Sequence, residues 1–311
     1  MNKTFDLVCV GVAIVDSIIR GFDPEPVSAG GFRAESASLR VGGDAVNQAI
    51  AAARLGIKTR IVCALGQDDA GELIASALRR NGVDTSLVQY RDAPTPVTTM
   101  FVRPDGSRKS ITVDSRKLDF HPERDPGYLH GAGALLLGSL FRAPFDDPAV
   151  VLSLLRAAKS EGVPVYADTK LPNFRQLSLS DLAEALPLID CITPNEAEAA
   201  HYTGKAAPEE MAEAFLRCGV GSVILKLGDK GCYYRDADTE LQLDAFPVPA
   251  VDACGAGDNF LAGFAAERLR GADIPAALRF ANACGAICTT GVGASSALRS
   301  REQVLAFLAQ H

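Results

Sequence analysis

VDACGAGDNFLAGF, residues 251–264, is the stretch on which the reading of this 311-residue chain turns. It overlaps a Pro-bounded extended run, FPVPAVD, and leads into a periodic helical pattern, FLAGFAAERL. Small residues at a helix start let the backbone come close to a ligand. The N–H groups there and the positive dipole end favour an anion. Gly255, Ala256 and Gly257 supply that turn, and Asp258 follows in the first helical turn. A carboxylate there can accept the proton of an alcohol as the alcohol attacks a phosphoryl group. Phosphoryl transfer asks for little more than positioning, a base and donors for developing charge. Spacing alone equally allows Asp258 to cap the helix and the glycines merely to turn the chain.

Outward from this stretch, the rhythm is a short apolar run, a Gly/Asp/Asn break and an amphipathic stretch. Strands are predicted at 7–12, 59–65, 134–137, 163–167, 189–193 and 223–227, and helices at 47–55, 69–80 and 148–159. Such alternation argues for a mostly parallel sheet covered by helices on both faces. Two segments break the rhythm. Residues 17–40 have no helical period and hold Pro24, Pro26 and the pair Gly30-Gly31. Residues 97–113, VTTMFVRPDGSRKSITV, read as a hairpin turning at Pro104-Asp105-Gly106-Ser107. Together they can form a small β-sheet projecting from the core, interleaved in sequence with it; the alternative is that both are ordinary surface loops.

Composition narrows the function classes. Apolar residues make up 48% and charged residues 22%, which suits a packed soluble core. The net charge is -7 and no basic run appears, so no nucleic-acid partner is expected. No segment reaches the roughly 20 apolar residues of a membrane span, and the N-terminus lacks a signal-peptide cleavage site. Eight scattered cysteines without CxxC pairs suggest a reduced, cytoplasmic protein. Nothing fits a P-loop, no GxGxxG follows the first strand, and neither HExxH nor GxSxG occurs.

DACGAGDNFLAGF closely resembles the C-terminal signature of PfkB carbohydrate kinases, D-T/S-x-G-A-G-D-x-F-x-x-G. Ala253 stands at the usual Thr/Ser position. VGGDAVNQAIAAARLG, residues 41–56, is similar to that family's N-terminal glycine signature, and the two occur in the family's order. The resemblance covers essentially the whole chain as one kinase domain, 1–311. It implies a ribokinase-like three-layer α/β/α fold with a β-sheet lid built from about 16–40 and 97–113.

What the resemblance implies about residues is specific. Asp258 falls on the catalytic base, and the backbone of Gly255, Ala256 and Gly257 on the anion hole. Asp16, Gly42, Gly43 and Asn47 fall on the substrate-binding positions; a carboxylate and an amide suit paired sugar hydroxyls. Asp44 either contacts substrate or caps its helix. Asn195 and Glu198, in TPNEAE, fall on the N-x-x-E motif that manages Mg²⁺ largely through water; without the flanking signatures the same residues read as a capped surface helix. Pro194 suits the first turn of that helix. Lys226, Gly228 and Gly231, in KLGDKG, and Asn282 fall on the nucleotide side, where the glycines leave room for the nucleotide. Asp252 and residues 286–293 fall on loops that hold a monovalent cation such as K⁺. Expected ligands are therefore ATP, Mg²⁺, K⁺ and a small sugar.

At DTKLPNFR, residues 168–175, many sugar-kinase relatives have D-x-N-x-x-R; here Lys170 replaces the Asn and Arg175 lies further on. A cation at this point can meet a carboxylate or phosphate on the substrate. The expected activity is phosphorylation of a hydroxymethyl group on ribose, fructose or a sugar acid. A nucleoside kinase of the same family is the nearest rival, although nucleoside-binding relatives add an aromatic sandwich where this lid offers Phe22, Phe32 and Phe101. An inert sugar-binding regulator is the rival from another class, and retention of Asp258 and the GAG turn argues against it. Exposed lid edges predict a homodimer.

Overall fold

The first strand, β1 (Phe5–Val10), explains why the central strands read as unbroken apolar runs. Leu7 and Cys9 point into one buried cluster while Val8 and Val10 point into another, so both faces of the strand are covered. The computed structural model describes residues 5–21, 34–103, 108–112, 114–122 and 127–311. In it β1 pairs in parallel with β4 (Thr59–Val62) and with β9 (Ala132–Leu140). The parallel sheet continues through β10 (Val165–Thr169), β11 (Cys191–Ile192) and β12 (Val223–Lys226). Then β13 (Cys232–Arg235) and β14 (Glu240–Leu243) close it antiparallel, in the order β14-β13-β12-β11-β10-β9-β1-β4.

Helices cover both faces. On the Leu7 side pack α1 (Asp44–Arg54), α2 (Asp69–Arg80), α6 (Ala256–Leu269), α7 (Ile274–Thr289) and α8 (Arg301–Leu308). On the Val8 side pack α3 (Pro148–Ser160), α4 (Glu196–Thr203) and α5 (Pro208–Arg217). The expected three-layer α/β/α core is therefore present. α2 spans the predicted 69–80, because Asp68 caps it by accepting from Gly71 N at 2.8 Å. No helix among the described residues is long and apolar enough to cross a membrane.

A second sheet forms from the two segments that broke the rhythm. β2 (Ile14–Arg20) lies between β3 (Ser36–Gly42), antiparallel, and β7 (Val97–Val102), parallel, and β7 pairs antiparallel with β8 (Arg108–Thr112). The hairpin of 97–113 is thus formed, while its turn at 104–107 lies outside the described residues, as do Phe22 and Phe32. The predicted strand 59–65 is two strands: β4 stays in the main sheet and β5 (Ala64–Gly66) pairs with β6 (Gln89–Arg91). Burial of both pieces erased the polar break that would have marked the boundary in sequence.

Candidate active site

The carboxyl ends of the parallel strands converge on one region, the usual ligand position in open α/β sheets. Ser139 sits at the end of β9, Asp168 and Thr169 at the end of β10, and Lys226 at the end of β12. Against them stand the starts of α1 and α6.

Gly255 precedes α6 with φ +76°, and a Cβ there would strike the Ala294 Cβ at 2.2 Å. Only glycine satisfies both conditions. Within the turn, Ala256 N–H donates to Ala253 O at 3.2 Å, which narrows the sequence reading of an anion hole made by all three amides. Gly257 N–H, in the first turn, has no intrahelical acceptor. The Lys226 ammonium lies where a Cβ on Gly257 would come within 3.1 Å of it. That ammonium donates to Asp168 Oδ1 at 2.5 Å, and both side chains are largely buried. A buried cation thus stands beside the backbone at the start of α6, and a cation next to a helix N-terminus fits an anion such as phosphate.

Asp258 is 5% exposed. Asn47 Nδ2 donates to its Oδ2 at 2.8 Å and Gln48 Nε2 to its Oδ1 at 3.2 Å. Burial, then the nearby Asp44 carboxylate, push the Asp258 carboxyl up to about 8, while Lys170 pulls it down. Asp44, Asp168 and Asp258 offer carboxylate oxygens within 4.8 Å of one another. Lys170 Nζ stands 3.5 Å from Asp44 Oδ1, and Asp44 is what mainly raises the Lys170 ammonium. Ser139 Oγ donates to the other Asp44 oxygen. Asp44 therefore does not cap α1, whose N-cap is Gly43 with no side-chain cap bond. Lys170, read from sequence as open to a substrate anion, has an internal partner in Asp44.

A cavity of about 450 Å³ opens beside these groups, lined by Asp16, Gly43, Asp44, Thr98 and Lys170 among others. Its size suits a small polar molecule. Burial, and then Asp252, push the Asp16 carboxyl up to about 6. A Cβ on Gly42 would lie 2.4 Å from Asp16 Oδ2, so glycine makes room for that carboxylate.

The remaining predicted residues divide. Asn195 and Glu198 form a reciprocal cap: Asn195 Oδ1 accepts from Glu198 N at 2.9 Å, and Glu198 Oε2 from Asn195 N at 3.0 Å. Thr169 Oγ1 also donates to Glu198 Oε2, at 2.8 Å. Burial, and next Asp168, raise the Glu198 carboxyl. Pro194 precedes this cap instead of opening the helix, and its carbonyl accepts from Lys226 N at 2.9 Å. Oxygen donors suit Mg²⁺, but the Asn195 oxygen is spent on the cap and both Glu198 bonds fall on Oε2. The pair therefore fits an ion held through water better than one ligated directly. Asp252 ties two loops, accepting from Cys254 N at 3.0 Å and from Gly293 N at 2.9 Å.

On the predicted nucleotide side, Lys226 turns inward to Asp168. Gly228 has φ +64° and open space around it. Gly231 leaves no room: a Cβ there would meet Leu243 O at 1.9 Å, so this glycine serves the packing of the chain itself. Asn282 Nδ2 donates to Asp244 O at 3.3 Å. Arg175 lies apart from the cavity, 3.9 Å from Asp147. Gln48, Asp168 and Ser139 were not singled out as site residues. Gln48 follows Asn47 in an Ala-rich helix, and no spacing rule marks it.

Fold and site together define a phosphotransferase that acts on an alcohol group. The chain belongs to the pfkB family of carbohydrate kinases, whose profile matches residues 5–301. It is similar to the ribokinase of Arabidopsis thaliana, 31% identical over 97% of this chain and 80% of that protein. It is also similar to the ribokinase of Haemophilus influenzae, 30% identical over 87% of this chain and 88% of that one. Among solved structures, Arabidopsis thaliana ribokinase complexed with ribose and ATP superposes with a TM-score of 0.82 at 28% identity, covering 99% of both chains. A Methanocaldococcus jannaschii nucleoside kinase superposes at 0.83 over 100% of both chains but is 20% identical, a likeness of fold alone.

Proposed function

We propose that this kinase transfers the γ-phosphoryl group of ATP to a hydroxymethyl oxygen of a small sugar held in the 450 Å³ cavity. The observation that carries the reading is the position of Asp258. It is a buried carboxylate, held at both oxygens by amides, one residue beyond a turn whose amide and neighbouring ammonium suit a phosphate. Resemblance to ribokinases, one of them solved with ribose and ATP, supports the choice of substrates.

In this reading Asp16 accepts from sugar hydroxyls at the cavity wall, and the backbone at Gly42 and Gly43 shapes the pocket. Asn47 Oδ1, buried and without a hydrogen-bond partner in this structure, keeps an acceptor for a sugar hydroxyl. Asp258 takes the hydroxymethyl proton as the oxygen attacks phosphorus in line. The Gly257 amide, at the end of the Gly255-Ala256-Gly257 turn, and Lys226 face the transferred group, and Gly228 leaves the nucleotide side open. Asn195 and Glu198 would hold Mg²⁺ through water, and the ion, when bound, neutralises charge on the phosphates. Asp252, which ties the loop of Gly293 to the turn before α6, would organise a K⁺ site of backbone carbonyls. The four-stranded sheet acts as a lid that excludes water. Its outer face pairs two copies, and the eight cysteines, none in a disulfide and most of them buried, suit the reducing cytoplasm.

The test is ADP release from MgATP across pentoses, hexoses, ketoses, sugar acids and nucleosides, with and without K⁺. One strong sugar responder is expected. Turnover confined to nucleosides would move the substrate class, and silence from folded protein across the whole panel would overturn the reading.

A further inference from the structure

Gln48 is fully buried in the first turns of α1, yet only half of its amide is used. Nε2 donates to Asp258 Oδ1 at 3.2 Å, while Oε1 has no hydrogen-bond partner. Asn47 repeats the pattern on the other oxygen: Nδ2 donates to Asp258 Oδ2 at 2.8 Å, and its Oδ1 is orphaned. An unsatisfied buried carbonyl is costly, and native folds keep few of them. Two side by side, both on amides bound to one carboxylate, need a reason.

Gln48 Oε1 faces the backbone of Gly138: a methyl group there would approach it to 3.6 Å and the Asp44 Cβ to 3.0 Å. Glycine at 138 therefore leaves space at the amide. An amide rotated by half a turn about its last torsion exchanges a donor for an acceptor in the same place.

We propose that Gln48 is a positioning residue for Asp258, holding Oδ1 with its N–H while the carboxylate is charged and with its rotated carbonyl once Asp258 carries the proton. This rests on the kinase reading above for its role in turnover. During transfer the hydroxymethyl O–H bond breaks and its proton passes to Asp258. The O–P bond forms, and the β,γ-bridging P–O bond breaks with its electron pair leaving on ADP. Before that step Asp258 needs donors; after it, the acid needs an acceptor. Gln48 supplies one hydrogen bond at Oδ1 in either state, so the carboxyl keeps its aim through the cycle. Asn47 can do the same at Oδ2, but its contact with sugar makes Gln48 the cleaner probe.

Other groups also act on Asp258. Asp44 faces it from α1, Asp168 from β10, Lys170 from the residue after β10, Cys9 from β1 and Cys288 from α7. None of them is altered by substitution at position 48, so a change in Asp258 titration there reports the amide.

The experiment is carbon-13 NMR of Asp-carboxyl-labelled protein without ligands, with the Asp258 signal assigned by its loss in Asp258→Asn. In Gln48→Met, which keeps length and loses both the donor and the acceptor, Asp258 should titrate about one pH unit higher, because the bond to the charged carboxylate is the stronger of the two that are lost. Gln48→Glu keeps the shape; it should move the titration at least as far upward through like charge, and it serves if the Met variant is not folded. With the sugar that the ADP-release panel selects, Gln48→Met should lose roughly tenfold in kcat at neutral pH, with both KM values within about twofold and recovery at high pH. An Asp258 titration unmoved in the folded variants overturns the proposal, as does a fall in kcat equal at every pH. Failure of the kinase reading would appear separately, as a wild-type protein without turnover in which the NMR comparison still holds.

Discussion

Lys170 Nζ and Asp44 Oδ1 lie 3.5 Å apart at the wall of the 450 Å³ cavity. The pair places one positive charge among three carboxylates, those of Asp44, Asp168 and Asp258, that crowd within 4.8 Å. Lys170 is one of the groups that lowers the Asp258 carboxyl, while Asp44 raises it. Replacing Lys170 with Met should therefore raise Asp258 further and leave less of it ionised at neutral pH. We expect kcat/KM to fall about tenfold at pH 7, since one pH unit is a tenfold change in ionised fraction, and to recover at higher pH. Kinetics identical to wild type at all pH values would remove Lys170 from the electrostatics of the base.

With Asp258 as the proposed base, its carboxyl sets the expected pH dependence. Its carboxyl is pushed up to about 8, chiefly by burial, and only the ionised form accepts a proton. Because the shift is upward, activity should be low below that value and rise as pH climbs through it. kcat/KM reports groups of the free enzyme, so its acid limb is the one to follow. Asp258→Asn should cost about 10²–10⁴-fold in kcat and keep sugar and ATP binding, as general-base loss commonly does. Near-normal turnover by this variant would take the base role away from Asp258.

Much of this site was legible because two short signatures carry backbone requirements that only certain residues meet. Gly255 stands at the helix start that the GAG turn implied, with a positive φ and a close approach to Ala294 that spacing did not encode, and Asn47 sits in the α1 turn that the first signature marked. The core was legible because Leu7, Val8, Cys9 and Val10 are all apolar, as a strand covered on both faces must be. The partnerships were not. Lys226 with Asp168 spans 58 positions, and Gln48 with Asp258 spans 210; no local period encodes such meetings. Gly231 misled for a related reason. A glycine that admits a ligand and a glycine that admits its own chain look alike until Leu243 is seen to fill the space.

Gly231 yields a stability prediction. Its φ is +89°, and a Cβ would come 1.9 Å from Leu243 O. Strands β13 and β14 hold that carbonyl in place through the pairing Cys232↔Leu243, so backbone must move to admit a methyl group. Gly231→Ala should destabilise the protein by about 2–4 kcal/mol, as strained backbone substitutions at packed sites do. Thermal unfolding measures it. By contrast Gly228→Ala meets open space and bears only the cost of its positive φ, about 1–2 kcal/mol. Equal losses at the two positions would mean that packing at Gly231 does not matter.

The small sheet makes the last prediction, which concerns assembly. Register aligns Leu39 with Ser17, Ser17 with Thr99, and Thr99 with Ile111, so these four form one row across β3, β2, β7 and β8. The adjacent row, Arg40, Asp16, Thr98 and Thr112, contributes Asp16, Thr98 and Thr112 to the lining of the 450 Å³ cavity. Strand side chains alternate in direction, so the Leu39 row lies on the face turned away from the cavity. Leu39 and Ile111 there are 59% and 66% exposed, high for large apolar side chains that share one strand row. Covering that face with the same face of a second copy gives a closed two-fold dimer. Light scattering at micromolar concentration should find two copies for the wild type and one for the Leu39→Glu, Ile111→Glu double variant. Because the cavity-lining face is untouched, the monomer should keep ADP release within severalfold if the lid closes alone. Loss of turnover together with the dimer would mean that the second copy holds the lid in its closed position. A monomeric wild type would leave these two side chains without a partner and sink the dimer.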